Sequence, residues 1–175
     1  MNQPTNKTSN TTYLFITVCF FLFVNLYFSN LLANKLASGW HYSDKLINLL
    51  YVQNTGAAFS ILQNSTTLLI VFSFLALIAI AYFLFKNIDL MLKKEIFALS
   101  ILLAGILGNL YERIHFGFVR DFFELTFCNF PIFNISDIFI NIGVFGIIIL
   151  IILTKKPIKL IWKNYFLQLK KTMKT

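Results

Sequence analysis

The chain has 175 residues, 58% of them hydrophobic and only 13% charged, against roughly 25% charged in soluble domains. With a mean hydropathy of +0.74, this excludes an ordinary water-soluble globule and fits one membrane domain. The net charge of +8 comes with no nucleic-acid-binding motif, so it is read as a membrane topology signal and no nucleic acid partner is expected.

Residues 1–12 are polar and are expected to form a disordered cytoplasmic N-terminus. Four apolar segments follow, at about Tyr13 to Leu32, Thr67 to Phe85, Ile96 to Tyr111 and Ile138 to Thr154. A helix needs about 20 apolar residues to cross a bilayer. The third segment is short and requires flanking residues or a thinner bilayer to span. The continuous run Tyr13 to Val24 in the first has the length of a signal-peptide core, but apolar character resumes after Asn25 and three more spans follow, so an anchored span fits better. Between the first two spans, Ile47 to Gln53 has strand-like content, Asn54-Thr55-Gly56 signals a turn, and Ala57 to Leu62 suits a short interfacial helix.

The prediction is therefore an all-α membrane protein. It has four transmembrane helices over residues 13–154, with a small extracytoplasmic β-like cradle and a short interfacial helix in about residues 33–66. A basic cytoplasmic tail occupies 155–175. Lys7, Lys86, Lys93, Lys94 and seven tail lysines place eleven of the fifteen basic residues on one face, so both termini are assigned to the cytoplasm. The tail also suits contact with anionic lipid headgroups. Cys19 and Cys128 form no CxxC pattern and are read as free thiols. His41 and His115 lack metal-ligand spacing and are read as interfacial.

Of the seven acidic residues, Glu112, Asp121, Glu124 and Asp137 cluster between the third and fourth spans. Asp89 and Glu95 fall in the basic loop and are expected in solvated ion pairs. Asp137 opens the fourth span, where a carboxylate loses hydration. Position alone leaves a functional group and a helix cap equally open. Asp121 lies among aromatics in Phe118-Val119-Arg120-Asp121-Phe122-Phe123. Fifteen residues separate the two aspartates, enough for the chain to leave and return. Two carboxylates meeting in a partly dry site do not both ionise readily, so one keeps a proton and the other serves as base. Such a pair activates water toward a peptide carbonyl and then protonates the leaving amine. Neither a Gly-x-Ser-x-Gly elbow nor a His-Glu-x-x-His helix is present.

Three blocks together resemble the signal peptidase II family, aspartyl peptidases that process bacterial lipoproteins. They are Gln53-Asn54-Thr55-Gly56-Ala57-Ala58-Phe59-Ser60; Gly108-Asn109-Leu110-Tyr111-Glu112-Arg113, continuing through Gly117 to Asp121; and Phe133-Asn134-Ile135-Ser136-Asp137. Their order and their placement against four spans match over about residues 13 to 155. The resemblance implies cleavage of prolipoproteins before a diacylglyceryl-modified cysteine. It implies Asp121 and Asp137 as the catalytic pair, no metal or organic cofactor, and inhibition by globomycin-type cyclic peptides.

Substrate contacts are expected from Asn54, through its amide, and from Gly56 and Ala57, which admit a chain closely. Asn109, Arg113 and Asn134 complete the expected substrate set, with cap, packing and snorkelling roles as the bland readings. A monomer in the bacterial inner membrane, with the site at the extracytoplasmic face and membrane lipids as surroundings, is the default expectation.

Four positions depart from the family's pattern. Asn25 and Ser29 stand where the first span usually carries Asp and Lys; Glu112 replaces an Asp; Arg120 replaces an apolar residue. A cation beside Asp121 is expected to lower its pKa if the side chains meet. Two further functions stay open: a small transporter or lipid-binding subunit, in which the buried polar residues form a path, and an inactive relative that binds lipoprotein precursors.

Overall fold

Apolar runs of this length leave the backbone one economical solution in lipid, a helix that satisfies its own polar groups. The computed structural model describes residues 7–57 and 62–154. Among them are four helices long and apolar enough to cross a membrane: α1 (Lys7–Ala37), α2 (Thr66–Asn87), α3 (Lys93–Phe116) and α4 (Ile135–Thr154). A 3₁₀ turn, Ile88–Leu90, joins α2 to α3.

The helices are longer than the apolar runs. α1 begins at Lys7, so the disorder expected up to Thr12 does not hold for residues 7–12. Three contacts order that first turn: Asn10 Nδ2 donates to Ile88 O at 2.6 Å, Lys93 Nζ to Ser9 O at 3.0 Å, and Thr11 Oγ1 to Lys7 O at 3.0 Å. The third span reaches 24 residues through its polar flanks. Glu95, expected in a solvated ion pair, accepts the Leu92 N–H at 2.8 Å where α3 starts. Of the helix expected over Ala57 to Leu62, residues 58–61 lie outside the described residues, as does the tail from residue 155.

α3 is the central element. In its apolar window 67% of residues are buried, against 11%, 6% and 11% for α1, α2 and α4. Small residues let α4 lie close: a Cβ on Gly105 would stand 2.6 Å from Ser136 O, and one on Gly143 2.6 Å from Leu102 Cβ. α1 is held to α3 by polar bonds along one stripe. Asn10 reaches the turn before α3, the Thr17 hydroxyl donates to Ser100 Oγ at 2.7 Å, and Asn25 Nδ2 contacts Ala104 O at 3.4 Å. At the lysine-bearing end, Leu84, Ile88, Met91, Ile96 and Leu99 form an apolar cluster.

At the opposite end three strands form an antiparallel sheet in the order β1 (Tyr42–Ser43), β2 (Ile47–Asn54), β3 (Val119–Leu125). It is the cradle expected from the sequence. Gly117, at φ +81°, ends α3 in a left-handed turn, and its N–H bonds Arg113 O at 3.1 Å. That turn leaves only Phe118 between helix and β3. Val52 pairs with Asp121 and Asn54 with Val119. Phe133 then returns as a bridge to Phe123, which sets Asn134 and the start of α4 beside β3.

Candidate active site

The start of α4 explains how Asp137 is held. Asn134 is the residue before the helix, and its Oδ1 accepts the Asp137 N–H at 3.0 Å. In return, Asp137 Oδ2 accepts the Asn134 N–H at 3.1 Å. This is a reciprocal capping box, so Asn134 is the cap and Asp137 its third-residue partner. The cap and the site therefore use the same atoms. Asp137 Oδ1 takes a second bond from Asn109 Nδ2 at 2.9 Å, across from α3.

Asn134 also reaches the other aspartate. Its Nδ2 donates to Asp121 Oδ1 at 2.8 Å and to Asn109 Oδ1 at 3.1 Å. One asparagine thus bonds both carboxylates, and Asn109 closes the ring. The second oxygen of Asp121 accepts Asn54 Nδ2 at 2.8 Å. Asn54 keeps its own turn by accepting the Gly56 N–H at 2.9 Å. The amide expected to face substrate is therefore bonded to Asp121 in this structure.

Asp121 is 2% exposed. Burial pushes its pKa up from 3.8 to about 6, against the bonds from Asn54 and Asn134, with Asp137's charge adding to the rise and Arg113 opposing it. The lowering expected from Arg120 does not occur. Neighbours on a strand face opposite sides, and Arg120 turns away to Glu112, with Nη2 to Oε1 at 2.7 Å.

Arg113 donates from Nη2 to Gly56 O at 3.1 Å. Its Nε is buried and finds no hydrogen-bond acceptor among the described residues. With Asn54, Ala57, Asn109, Asp121, Asn134 and Asp137 it lines a cavity of about 750 Å³. The cavity continues along α4 past Asn141, Ile142, Phe145 and Ile149. All six expected substrate contacts thus meet the two aspartates in one place, with Gly56 contributing its carbonyl. Sequence reasoning missed Asn141, whose Nδ2 bonds Asp137 O at 2.9 Å one turn along the helix. An amide inside an apolar run was the available signal. It also missed the partner of Asn25, whose Nδ2 donates to Ser136 Oγ at 2.8 Å, next to Asp137.

Fold and site together define a membrane protein of four apolar helices with two hydrogen-bonded carboxylates at one end of the bundle. The sequence model of signal peptidase II matches residues 16–153, and the chain belongs to that family. It is 40% identical over 112 residues to the lipoprotein signal peptidase of Streptococcus pneumoniae (strain ATCC BAA-255 / R6), covering 64% of this chain and 71% of the relative. To that of Latilactobacillus sakei subsp. sakei (strain 23K) it is 34% identical over 137 residues, 72% of this chain and 90% of the relative. A bacterial membrane enzyme solved by the in meso method at 2.3 Å superimposes with a TM-score of 0.72 at 30% identity, covering 82% of this chain and 89% of the other.

Proposed function

We propose that the chain is an aspartyl endopeptidase of the bacterial inner membrane that removes signal peptides from prolipoproteins, cleaving before the diacylglyceryl-modified cysteine. The observation that carries this reading is Asn134 bonding Asp121 and Asp137 at once, on the wall of a cavity that continues along the apolar face of α4. Family membership and the names of its relatives support the substrate.

The pair works with one proton between its two carboxyl groups. The ionised group takes a proton from water as the water oxygen bonds to the scissile carbonyl carbon. The protonated group gives its proton to the carbonyl oxygen, and a tetrahedral diol results. As the C–N bond breaks, the group that took the proton from water gives it to the leaving amine and the other takes a proton back from the diol, so a carboxylic acid and an amine leave and the pair regains its single shared proton. The pair titrates as a unit, so acid and base are not assigned to fixed residues. Burial of Asp121 raises its pKa to about 6, so the pair holds a proton to a higher pH than a free carboxyl does. Arg113, with a buried Nε aimed at no acceptor among the described residues, supplies a donor for a substrate carbonyl.

Lys7, Lys86, Lys93 and Lys94 lie at the bundle end opposite the carboxylates. The bias of basic residues supports a cytoplasmic location for that end, with the site at the extracytoplasmic face. A lipid-anchored substrate then arrives already at the height of the pair, which supplies part of the rate.

The test uses purified protein in lipid, with a diacylglyceryl-modified precursor and an unmodified control. Cleavage of the modified precursor alone is expected, with competition by a globomycin-type peptide. Asp121→Asn and Asp137→Asn should each lower the rate by at least about 10²- to 10⁴-fold while the protein still binds precursor. Full turnover in either variant removes that residue from the pair. Proton-coupled transport without cleavage points to the transporter reading instead.

A further inference from the structure

Glu112 and Arg120 lie behind the cavity and are both buried, at 4% and 6% exposure. Taken separately from the sequence, each departs from the family's pattern. In the structure they form one unit. Arg120 gives three donors to the single carboxylate: its backbone N–H to Oε2 at 2.7 Å, Nε to Oε1 at 3.1 Å and Nη2 to Oε1 at 2.7 Å. The remaining arm, Nη1, reaches Asn30 Oδ1 on α1 at 3.0 Å, and the guanidinium lies 4.5 Å over the Phe116 ring.

Glu112 lies close enough to Arg113 and Asp137 to act on both electrostatically. Among the described residues the charged groups around the carboxylate pair are few. α3 brings Glu112 and Arg113, β3 brings Arg120 beside Asp121, and α4 brings Asp137, whereas the side chains that α1 and β2 bring here, Asn25, Asn30 and Asn54, are neutral. Arg120 is therefore the cation paired with Glu112. Without it a third carboxylate lies unpaired within electrostatic reach of Asp137, through protein of low dielectric where unit charges interact strongly.

Resting on the aspartyl reading above, we infer that Arg120 is a positioning residue for the reaction. Its guanidinium neutralises Glu112, and its backbone N–H, bonded to Glu112, anchors β3 one residue before Asp121. The two tasks separate by mutation. Arg120→Leu keeps the backbone bond and leaves Glu112 without its ion-pair partner, within reach of Asp137. Adding Glu112→Gln removes that charge, and its amide oxygen still accepts the backbone N–H.

The experiment measures kcat and KM on the modified precursor in lipid between pH 5.5 and 8.5. It compares the wild-type chain, Arg120→Leu, Glu112→Gln and the double variant. Arg120→Leu is expected to lose about tenfold or more in kcat, with a pH profile displaced from that of the wild type by the charge left beside the pair. The double variant is expected within about threefold of wild type, with the wild-type pH profile, a non-additivity that marks direct coupling. A pure bridging role predicts the reverse: a pH-independent loss that is as large or larger in the double variant, and that result overturns the inference. If Arg120→Leu fails to fold and the double variant folds and cleaves, the inference stands. If neither folds, the bridge itself is what matters and the inference falls. Wild-type protein that cleaves nothing overturns the aspartyl reading first, whatever the variants do.

Discussion

At Asp121, burial and hydrogen bonding pull in opposite directions, and burial wins. The carboxyl sits at about 6 instead of its ordinary 3.8. Between those values the folded chain holds a proton that the unfolded chain has released. Stability therefore falls as pH rises through that window and levels off above it. At about 1.4 kcal/mol per pKa unit, keeping this carboxylate ionised costs up to about 3 kcal/mol at pH 7. Asp121→Asn is expected to raise the melting temperature in detergent at pH 7, with the gain shrinking toward zero below about pH 4. A loss of stability at pH 7 means the bonds from Asn54 and Asn134 outweigh burial.

Asn134 does two jobs with separate atoms, so one series of variants divides them. Its Oδ1 caps α4 and its Nδ2 holds Asp121 and Asn109. Asn134→Ala should cost about 1 kcal/mol as a lost cap and about 10²-fold in kcat through a misplaced pair. Asn134→Ser restores a cap oxygen but no amide donor. Its melting temperature should recover while its kcat does not. Recovery of both leaves Asn134 with capping alone. The sequence placed Asn134 three residues before Asp137 and so suggested a link between them. It carried no sign that Asn54 would turn its amide to Asp121, because that contact depends on the register of β2 against β3.

Among the elements, the helices were legible and the sheet was only half so. Long apolar runs announce a span whatever it packs against, which is why α2 and α4 came close to their true limits. The polar ends of α1 and α3 did not, because tertiary contacts extend them: Asn10 and Lys93 tie down the first turn of α1. β2 was visible from its composition, but β3, whose alternation sends Arg120 and Asp121 to opposite faces, was not.

The α3–α4 contact offers a sharp comparison. A Cβ on Gly143 meets the Leu102 backbone nitrogen at 2.7 Å, which cannot yield without moving a helix, whereas one on Gly146 meets Ala98 Cβ at an ordinary 3.4 Å. Gly143→Ala is expected to destabilise by about 1–3 kcal/mol, and Gly146→Ala to be neutral or mildly stabilising. Melting of the two variants in the same detergent decides it. Equal melting temperatures mean that α4 is free to shift on α3, and the fixed geometry at Asp137 loses its support.

For the whole molecule the open matter is which way the bundle crosses the membrane. α1 and α3 run in the same direction: Asn10 meets the turn before α3, Thr17 meets Ser100 within it, and Asn30 meets Arg120 on the strand after it. The strands and both aspartates therefore share one end, away from Lys7 and Lys93. Cys128 reports on that end, since it lies between Asp121 and Asp137 in the chain and is an exposed free thiol. Cys19 is also free, but it lies within the first candidate span and is removed from the experiment by Cys19→Ser. In intact spheroplasts a membrane-impermeant maleimide should label Cys128 of that variant without permeabilisation, and Cys128→Ser should abolish the label. Labelling that appears only after the membrane is opened would turn the bundle over. The carboxylates would then face the cytoplasm, where a substrate anchored in the outer leaflet does not reach them, and the positional part of the proposed mechanism would fail even if cleavage in detergent persisted.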